Sequence, residues 1–228
     1  MDLPTYRQPI TRCAEHVNWV EAERHSFAVA LRTADPGAPT LCEGWTSRHL
    51  CAHLVQREHA ILRNIWDQVT TRTAGEERFM RRLVDGARTP EGYAALVDRF
   101  AAGPSRHTPM RRFDEALNLV EYVVHHEDLR RGSGPVPPRD LPAAELDEIW
   151  RRARLILKRA YRKAPVGVVL APDGGAATPV RSGPSSITVA GSPLELVLHA
   201  FGRRSAADVR VEGTPESVDS FTRWATRA

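Results

Sequence analysis

The chain has 228 residues, a net charge of +4, 42% hydrophobic residues and 26% charged residues, a composition typical of a globular protein. No apolar run reaches the length of a membrane span, and the N-terminus lacks the basic-then-apolar layout of a secretory signal. We therefore expect a cytoplasmic protein with no membrane association. The arginines lie beside acidic residues or in short helical clusters without aromatic reader motifs, so we expect no nucleic-acid partner.

The first half of the chain predicts helices. Apolar residues recur at helical spacing in successive segments, and Thr46 is a natural N-cap for the second helix. The connections between these segments are short, which favours a helical bundle with a site inside it. The predicted ranges are Tyr6–Thr33, Ser47–Thr71, Glu76–Ala101 with a break around Gly86–Pro90, and Phe113–Arg131.

The second half has a different pattern, which starts after a glycine- and proline-rich linker at Gly132–Pro138. Short β-branched runs alternate with helical segments there. The predicted strands are Val166–Leu170, Ile187–Val189 and Val209–Val211, and the predicted helices are Leu141–Tyr161, Pro193–Phe201 and Pro215–Ala225. We therefore predict an α+β protein, with a helical bundle over residues 1–138 and a small α/β domain over residues 139–228.

Glu121 and His125 lie four residues apart on the fourth predicted helix, so both face the same side. The valines around them indicate partial burial, and Asp128 is placed to orient the second ring nitrogen of His125. With His53 from the second helix, they make the donor set of a catalytic zinc with an open position. The alternative is a Glu–His hydrogen bond that needs no metal.

The other candidate groups have simpler interpretations. Cys51 points about 200° away from His53, given about 3.6 residues per helical turn, and is expected in the core. His126 lies about 100° around the helix from His125 and should meet a different environment. His49 lies one turn before His53 but close to the helix N-terminus, where exposure is expected. No serine-nucleophile, phosphate-loop or dinucleotide motif is present.

Three stretches of the chain resemble the mycothiol-dependent maleylpyruvate isomerase family. They are Glu43–Leu54, with the pattern Glu-Gly-Trp-Thr-x-x-x-Leu-x-Ala-His-Leu, then Glu121–Arg131, and Val189–Arg203. The resemblance is closest to a metal-binding actinobacterial branch without a firmly assigned reaction. It implies a DinB-like four-helix bundle with a smaller C-terminal α/β domain.

The same resemblance implies a chemistry. The family's metal ligands map to His53, Glu121 and His125, the metal is zinc or another divalent ion, and mycothiol is the cosubstrate. Arg203 matches an arginine near the family's substrate site, and the alternative is a residue that satisfies carbonyls at a helix end. Many relatives carry Asp where this chain has His49, which we expect to alter local stability rather than metal binding.

These observations predict an enzyme that acts on a small-molecule thiol and a small electrophile, as a monomer or a homodimer. A metal-held thiolate would add to the electrophile, giving isomerisation or S-transfer. We expect the C-terminal domain to close over the bundle and to bring Arg203 to a substrate carboxylate. The alternative function is a non-catalytic metal- or ligand-binding protein.

Overall fold

The computed structural model describes residues 17–59, 78–104 and 111–226, with side chains in the last segment described from residue 118 onward. The helices of its N-terminal part are α1 Trp19–Thr33, α2 Ser47–His59, α3 Arg78–Gly86, α4 Pro90–Ala102 and α5 Arg111–Arg131. Helix α1 packs against α4 and α5, and α2 packs against α3, α4 and α5.

Local sequence signals account for the helix limits. The side chain of Asn18 accepts a hydrogen bond from the Glu21 amide at the start of α1. Thr89 caps α4 in the same way, ahead of a proline in the first turn, which confirms the predicted break in the third helical region. The predicted beginning of the first helix and end of the second lie outside the described residues.

The C-terminal part combines three helices with a four-stranded sheet. Its helices are α6 Ala143–Ala160, α7 Pro193–Ala200 and α8 Pro215–Ala225, and its strands are β1 Gly167–Pro172, β2 Thr178–Arg181, β3 Ser186–Gly191 and β4 Arg210–Glu212. The strand order in the sheet is β2-β1-β3-β4, with β1 and β3 parallel and the outer strands antiparallel to their neighbours.

The predicted fold class is confirmed, and β2 is the element that the sequence pattern missed. This strand reads Thr-Pro-Val-Arg and is at most partly buried. It lies at the sheet edge, where a proline can be accommodated because its missing N–H group need not join the ladder. An edge strand of this kind has no alternation of apolar and polar residues to reveal it.

The two parts meet along α5. Helix α6 contacts both α5 and α7, and α7 also contacts α5. Their buried apolar residues form one continuous cluster, so the predicted division at residue 138 remains a prediction. None of the helices within the described residues is long and apolar enough to cross a membrane.

Candidate metal centre

Three side chains from two helices converge at one end of the bundle. Glu121 and His125 lie one turn apart on α5, with 3.4 Å between Glu121 Oε2 and His125 Nε2. His53 projects from α2, and its ring centroid lies 5.2 Å from that of His125. The donor atoms of the three residues all lie within 4.8 Å of one another. The structure thus brings together the three residues that the sequence predicts as ligands.

His53 has the properties of a neutral ligand. It is buried, and its ring packs against Trp45 with 5.0 Å between the centroids. Burial, with a smaller contribution from the nearby positive charge of His125, lowers the pKa of His53 to about 3. The imidazole is therefore uncharged at neutral pH and offers a lone pair to a cation.

Glu121 supplies the negative charge. Its partial burial would by itself raise the pKa, but the hydrogen bond and charge of His125, together with the charge of Arg57, lower it to about 2. Arg57 forms an ion pair with Glu121 at 3.9 Å through Nη2, and its Nη1 donates a hydrogen bond to Asn118 Oδ1. The side chain of Glu121 is 30% exposed, so one face of the carboxylate remains open to the neighbouring space.

The orientation of His125 is fixed from behind by Asp128. The Nδ1 atom of His125 lies 2.9 Å from Asp128 Oδ2. Burial would raise the pKa of Asp128, but hydrogen bonds from His125 and Arg203 hold it below its usual range, so this carboxylate can only accept. His125 therefore donates from Nδ1 to Asp128 and turns Nε2 toward Glu121 and His53.

The donor set suits a zinc ion. Two imidazoles and a carboxylate are a combination found in catalytic zinc sites, and an imidazole oriented by a carboxylate is the usual support for a ligand. Burial lowers the pKa of His125, yet its hydrogen bonds with Asp128, Cys42 and Glu121 raise it well above the usual value. A site that holds a proton this strongly is also electrostatically suited to a divalent cation.

Arg203 lies next to Asp128, on the side away from the candidate ligands. It follows α7 and contacts Asp128 through two hydrogen bonds, Nε to Oδ1 at 2.7 Å and Nη2 to Oδ2 at 2.6 Å. It also donates to the carbonyl of Phe201 at 2.7 Å, which is the helix-end role considered as the alternative. Arg203 thus lies beside the candidate centre and satisfies a carbonyl at the end of α7.

A cavity of about 590 Å³ opens beside the three candidate ligands, at the junction of the bundle and the C-terminal part. One wall is the loop before α2, and the opposite wall is the segment after α7. The lining residues are Leu41, Cys42, Glu43, Trp45, His53, Glu121, Val124, His125, Phe201, Gly202, Arg203, Ser205 and Ala206. A small molecule that enters this cavity reaches all three ligands.

Part of the chain matches a known domain family. Residues 20–130 match the family model described as the mycothiol maleylpyruvate isomerase N-terminal domain. This region, which is 111 of the 228 residues, therefore carries that domain. No curated protein sequence matches the chain.

Two solved structures of mycothiol-dependent maleylpyruvate isomerase share the fold, each over 85% of this chain and 90% of its own length. A histidine-to-alanine mutant aligns with a TM-score of 0.58 and 19% identity. A second structure of that enzyme aligns with a TM-score of 0.57 and 20% identity. At this identity the likeness establishes the common fold, including the C-terminal α/β part.

Cys42 is the site residue that the sequence interpretation missed. Its thiol donates to Asp128 Oδ2 and accepts from Arg203 Nη2, each at 3.2 Å. With His125 and Asp128 it forms a second group of converging donor atoms, on the far side of the His125 ring. The sequence feature that could have identified Cys42 is its position directly before the Glu43–Leu54 motif.

The remaining predicted residues fall outside the candidate ligand set. His49 is half-buried, and its Nδ1 lies 3.3 Å from the Thr46 amide and 2.9 Å from the Thr46 hydroxyl. It thus takes the place of the acidic residue of a capping box. Cys51 is fully buried in the core, as predicted. His126 faces Glu23 rather than the cavity, as its angular position on the helix indicated.

Proposed function

We propose that this chain is a zinc-dependent enzyme that uses the low-molecular-weight thiol mycothiol, as an isomerase or an S-transferase on a small electrophile. The proposal is carried by the convergence of His53, Glu121 and His125 beside a cavity of about 590 Å³. Family membership over residues 20–130 supports the thiol as cosubstrate.

His53, Glu121 and His125 would hold the metal. When bound, a zinc ion in this setting lowers the pKa of a thiol, so that the nucleophilic thiolate prevails at neutral pH. Another divalent ion would have the same electrostatic effect. The neutral His53 and the anionic Glu121 keep the net charge of the ligand set low, which favours an anionic sulfur next to it.

The chain's own residues position the reactants. Trp45, Leu41 and Phe201 give the cavity apolar surfaces, which exclude water and strengthen electrostatic contacts inside it. Because Asp128 fixes the ring of His125, the candidate ligands need little rearrangement when a thiol arrives. Glu43 contributes a carboxylate to the lining and is exposed to solvent.

The reaction begins when the thiolate sulfur adds to an electrophilic carbon of an activated double bond. If rotation about the new single bond is followed by loss of the thiol, the product is the geometric isomer. If a proton is taken up and the carbon–sulfur bond persists, the product is a stable thioether. The electrophile, rather than the metal ligands, determines which outcome prevails.

The direct test is to incubate the zinc-loaded protein with mycothiol and a panel of electrophiles that includes maleylpyruvate. We expect turnover above the metal-free protein, loss of turnover in His53→Ala, and retention in His25→Ala, because His25 is exposed on α1. Zinc content is measured for each variant after purification without a histidine tag. Equal rates with and without metal would refute the enzyme proposal.

The second candidate function is a non-catalytic metal- or ligand-binding protein. The observation in its favour is that Glu121 and His125 already interact with each other at 3.4 Å, which stabilises both groups without any reaction. Zinc binding at the three residues together with absence of thiol binding would support this alternative. Mycothiol binding by isothermal titration separates the two functions even when the correct electrophile is not in the panel.

A further inference from the structure

The guanidinium of Arg203 has most of its donors directed at protein atoms. Nε and Nη2 form a bidentate pair with the two carboxylate oxygens of Asp128. The other hydrogen on Nη2 points to the Cys42 sulfur at 3.2 Å, and Nη1 donates to the Phe201 carbonyl at 2.7 Å. A single N–H of Nη1 is left for a ligand, since an arginine presents its donors in one rigid planar fork.

Asp128 connects this arginine to the candidate ligand His125. Its side chain is fully buried, and Oδ2 receives donors from His125, Cys42 and Arg203. A buried carboxylate without a countercharge would be costly. Arg203 provides that countercharge from the C-terminal part of the chain, whereas Asp128 and His125 both belong to α5.

The position of the Asp128 carboxylate decides how His125 is held. Its Oδ2 lies 2.9 Å from Nδ1 of His125, which leaves Nε2 on the side of Glu121 and His53. Arg203 holds both carboxylate oxygens through Nε and Nη2, so the carboxylate cannot turn away from the ring. Arg203 therefore influences the centre through Asp128 rather than through a bond of its own to a candidate ligand.

We propose that Arg203 is a positioning residue of the metal centre, which acts through Asp128 on His125, and that it does not clamp a carboxylate of the substrate. This inference rests on the metal site of the proposed function. The C-terminal part then contributes to the metal centre, because Arg203, which follows α7, holds the carboxylate that orients His125 on α5. The carboxylate-clamp role expected from the family resemblance is the competing outcome.

The test is a zinc titration against a chromophoric chelator, with wild type, Arg203→Met, Arg203→Lys and Arg204→Met. We expect Arg203→Met to weaken zinc binding about 10–100-fold, as loss of an outer-shell partner does. Arg203→Lys should restore part of the affinity, because an ammonium supplies the countercharge without the fork. Arg204→Met is the matched control, since the Arg204 guanidinium faces Ala225 and Trp224, and it should bind zinc like wild type.

A double-mutant cycle with Asp128→Asn tests whether Arg203 changes zinc affinity through Asp128. If Arg203 acts through Asp128, the double variant binds zinc no more weakly than Asp128→Asn alone. Additive losses would show that Arg203 reaches the centre by another route and would overturn the inference. Should Arg203→Met fail to fold, Arg203→Lys carries the cycle, and its affinity must then also fall below that of wild type.

The clamp role is tested with maleate, a small dicarboxylate, titrated into the zinc-loaded proteins. We expect the same maleate affinity in wild type and Arg203→Met after correction for zinc occupancy. A loss of maleate affinity with zinc affinity unchanged would overturn the inference and leave the proposed function standing. A wild-type chain that does not bind zinc at His53, Glu121 and His125 would overturn both.

Discussion

His125 and His126 are neighbours on α5, both are buried, and each has a carboxylate 2.9 Å from its Nδ1 atom. The ring of His125 opens toward the cavity with Glu121 and His53, whereas the ring of His126 stacks on Phe27 with 4.9 Å between centroids. The pKa of His125 is raised by its hydrogen-bonding partners, although burial opposes this. The pKa of His126 is lowered by burial and by the charge of Arg139, although Glu23 opposes this.

A step of one residue along α5, from His125 to His126, leads from the candidate metal centre to a network of structural ion pairs. The cavity side of α5 has three converging donor atoms and space next to them. On the opposite side, Glu23 and Glu127 are both paired with Arg139, and Arg131 links Glu127 to Glu195 on α7. The first arrangement suits a ligand, and the second ties the bundle to the C-terminal part.

The largest expected effect is a loss of fold stability in the ion network around His126. Glu23→Ala removes the carboxylate shared by His126 and Arg139, and breaking a buried pair costs about 3–5 kcal/mol. The free energy of unfolding, measured with denaturant at neutral pH, should fall by this amount. Zinc affinity under folding conditions should not change, because Glu23 is not part of the metal centre.

The pH dependence of Glu23→Ala provides its control. Burial would raise the pKa of Glu23, but His126 and Arg139 lower it below the usual 4.5. A carboxylate with a depressed pKa stabilises the fold above its unfolded value and loses that contribution as the pH falls through the folded value. The stability difference between wild type and Glu23→Ala should therefore shrink below about pH 4.5. A constant difference across that range would contradict the assignment.

The neighbouring histidines should separate metal binding from stability. His125→Ala removes a proposed ligand and should weaken zinc binding by more than about 100-fold, the upper range for loss of an outer-shell partner. His126→Ala should bind zinc like wild type and lose stability instead, because it leaves Glu23 and Arg139 without their shared ring. Competition titration and denaturant unfolding of both variants measure the two quantities. Equal losses of zinc affinity in the two variants would contradict the different roles assigned to His125 and His126.

A smaller effect is expected at Cys42, which donates one of the three hydrogen bonds to Asp128 Oδ2. Cys42→Ala should weaken zinc binding by less than about tenfold, since a single hydrogen bond contributes about 1 kcal/mol net. Cys42→Ser retains a donor and should bind zinc like wild type. A loss as large as that of His125→Ala would instead identify Cys42 as a metal ligand.

The smallest effect is expected at an exposed ion pair, and it tests whether ion pairs must be buried to contribute strongly to the free energy of unfolding. Glu148 pairs with Arg151 and Arg152 on α6, and the Arg151 side chain is 64% exposed. Glu148→Gln should lower the free energy of unfolding by about 1 kcal/mol at most, because water and salt screen such pairs. Added salt should reduce the difference further. A loss comparable to that of Glu23→Ala would show that burial is not the deciding factor.

Features that depend on neighbours along the chain could be predicted from the residues alone. The spacing of Glu121, His125 and Asp128 fixed their common side of α5, because the backbone hydrogen bonds of a helix repeat every turn. The same periodicity separated His126 from that side. The predicted ranges agree with the structure to within a few residues at the end of α1, at the break between α3 and α4, and over α7.

The groups that face that side of α5 depend on the packing of separate elements. The convergence of His53 with Glu121 and His125, the approach of Arg203 and Cys42 to Asp128, and the cavity between the two parts depend on how separate elements pack. Such contacts join residues far apart in sequence, and no local periodicity records them. For the same reason, β2 was missed, because an edge strand is stabilised by pairing with β1 rather than by a pattern of its own residues.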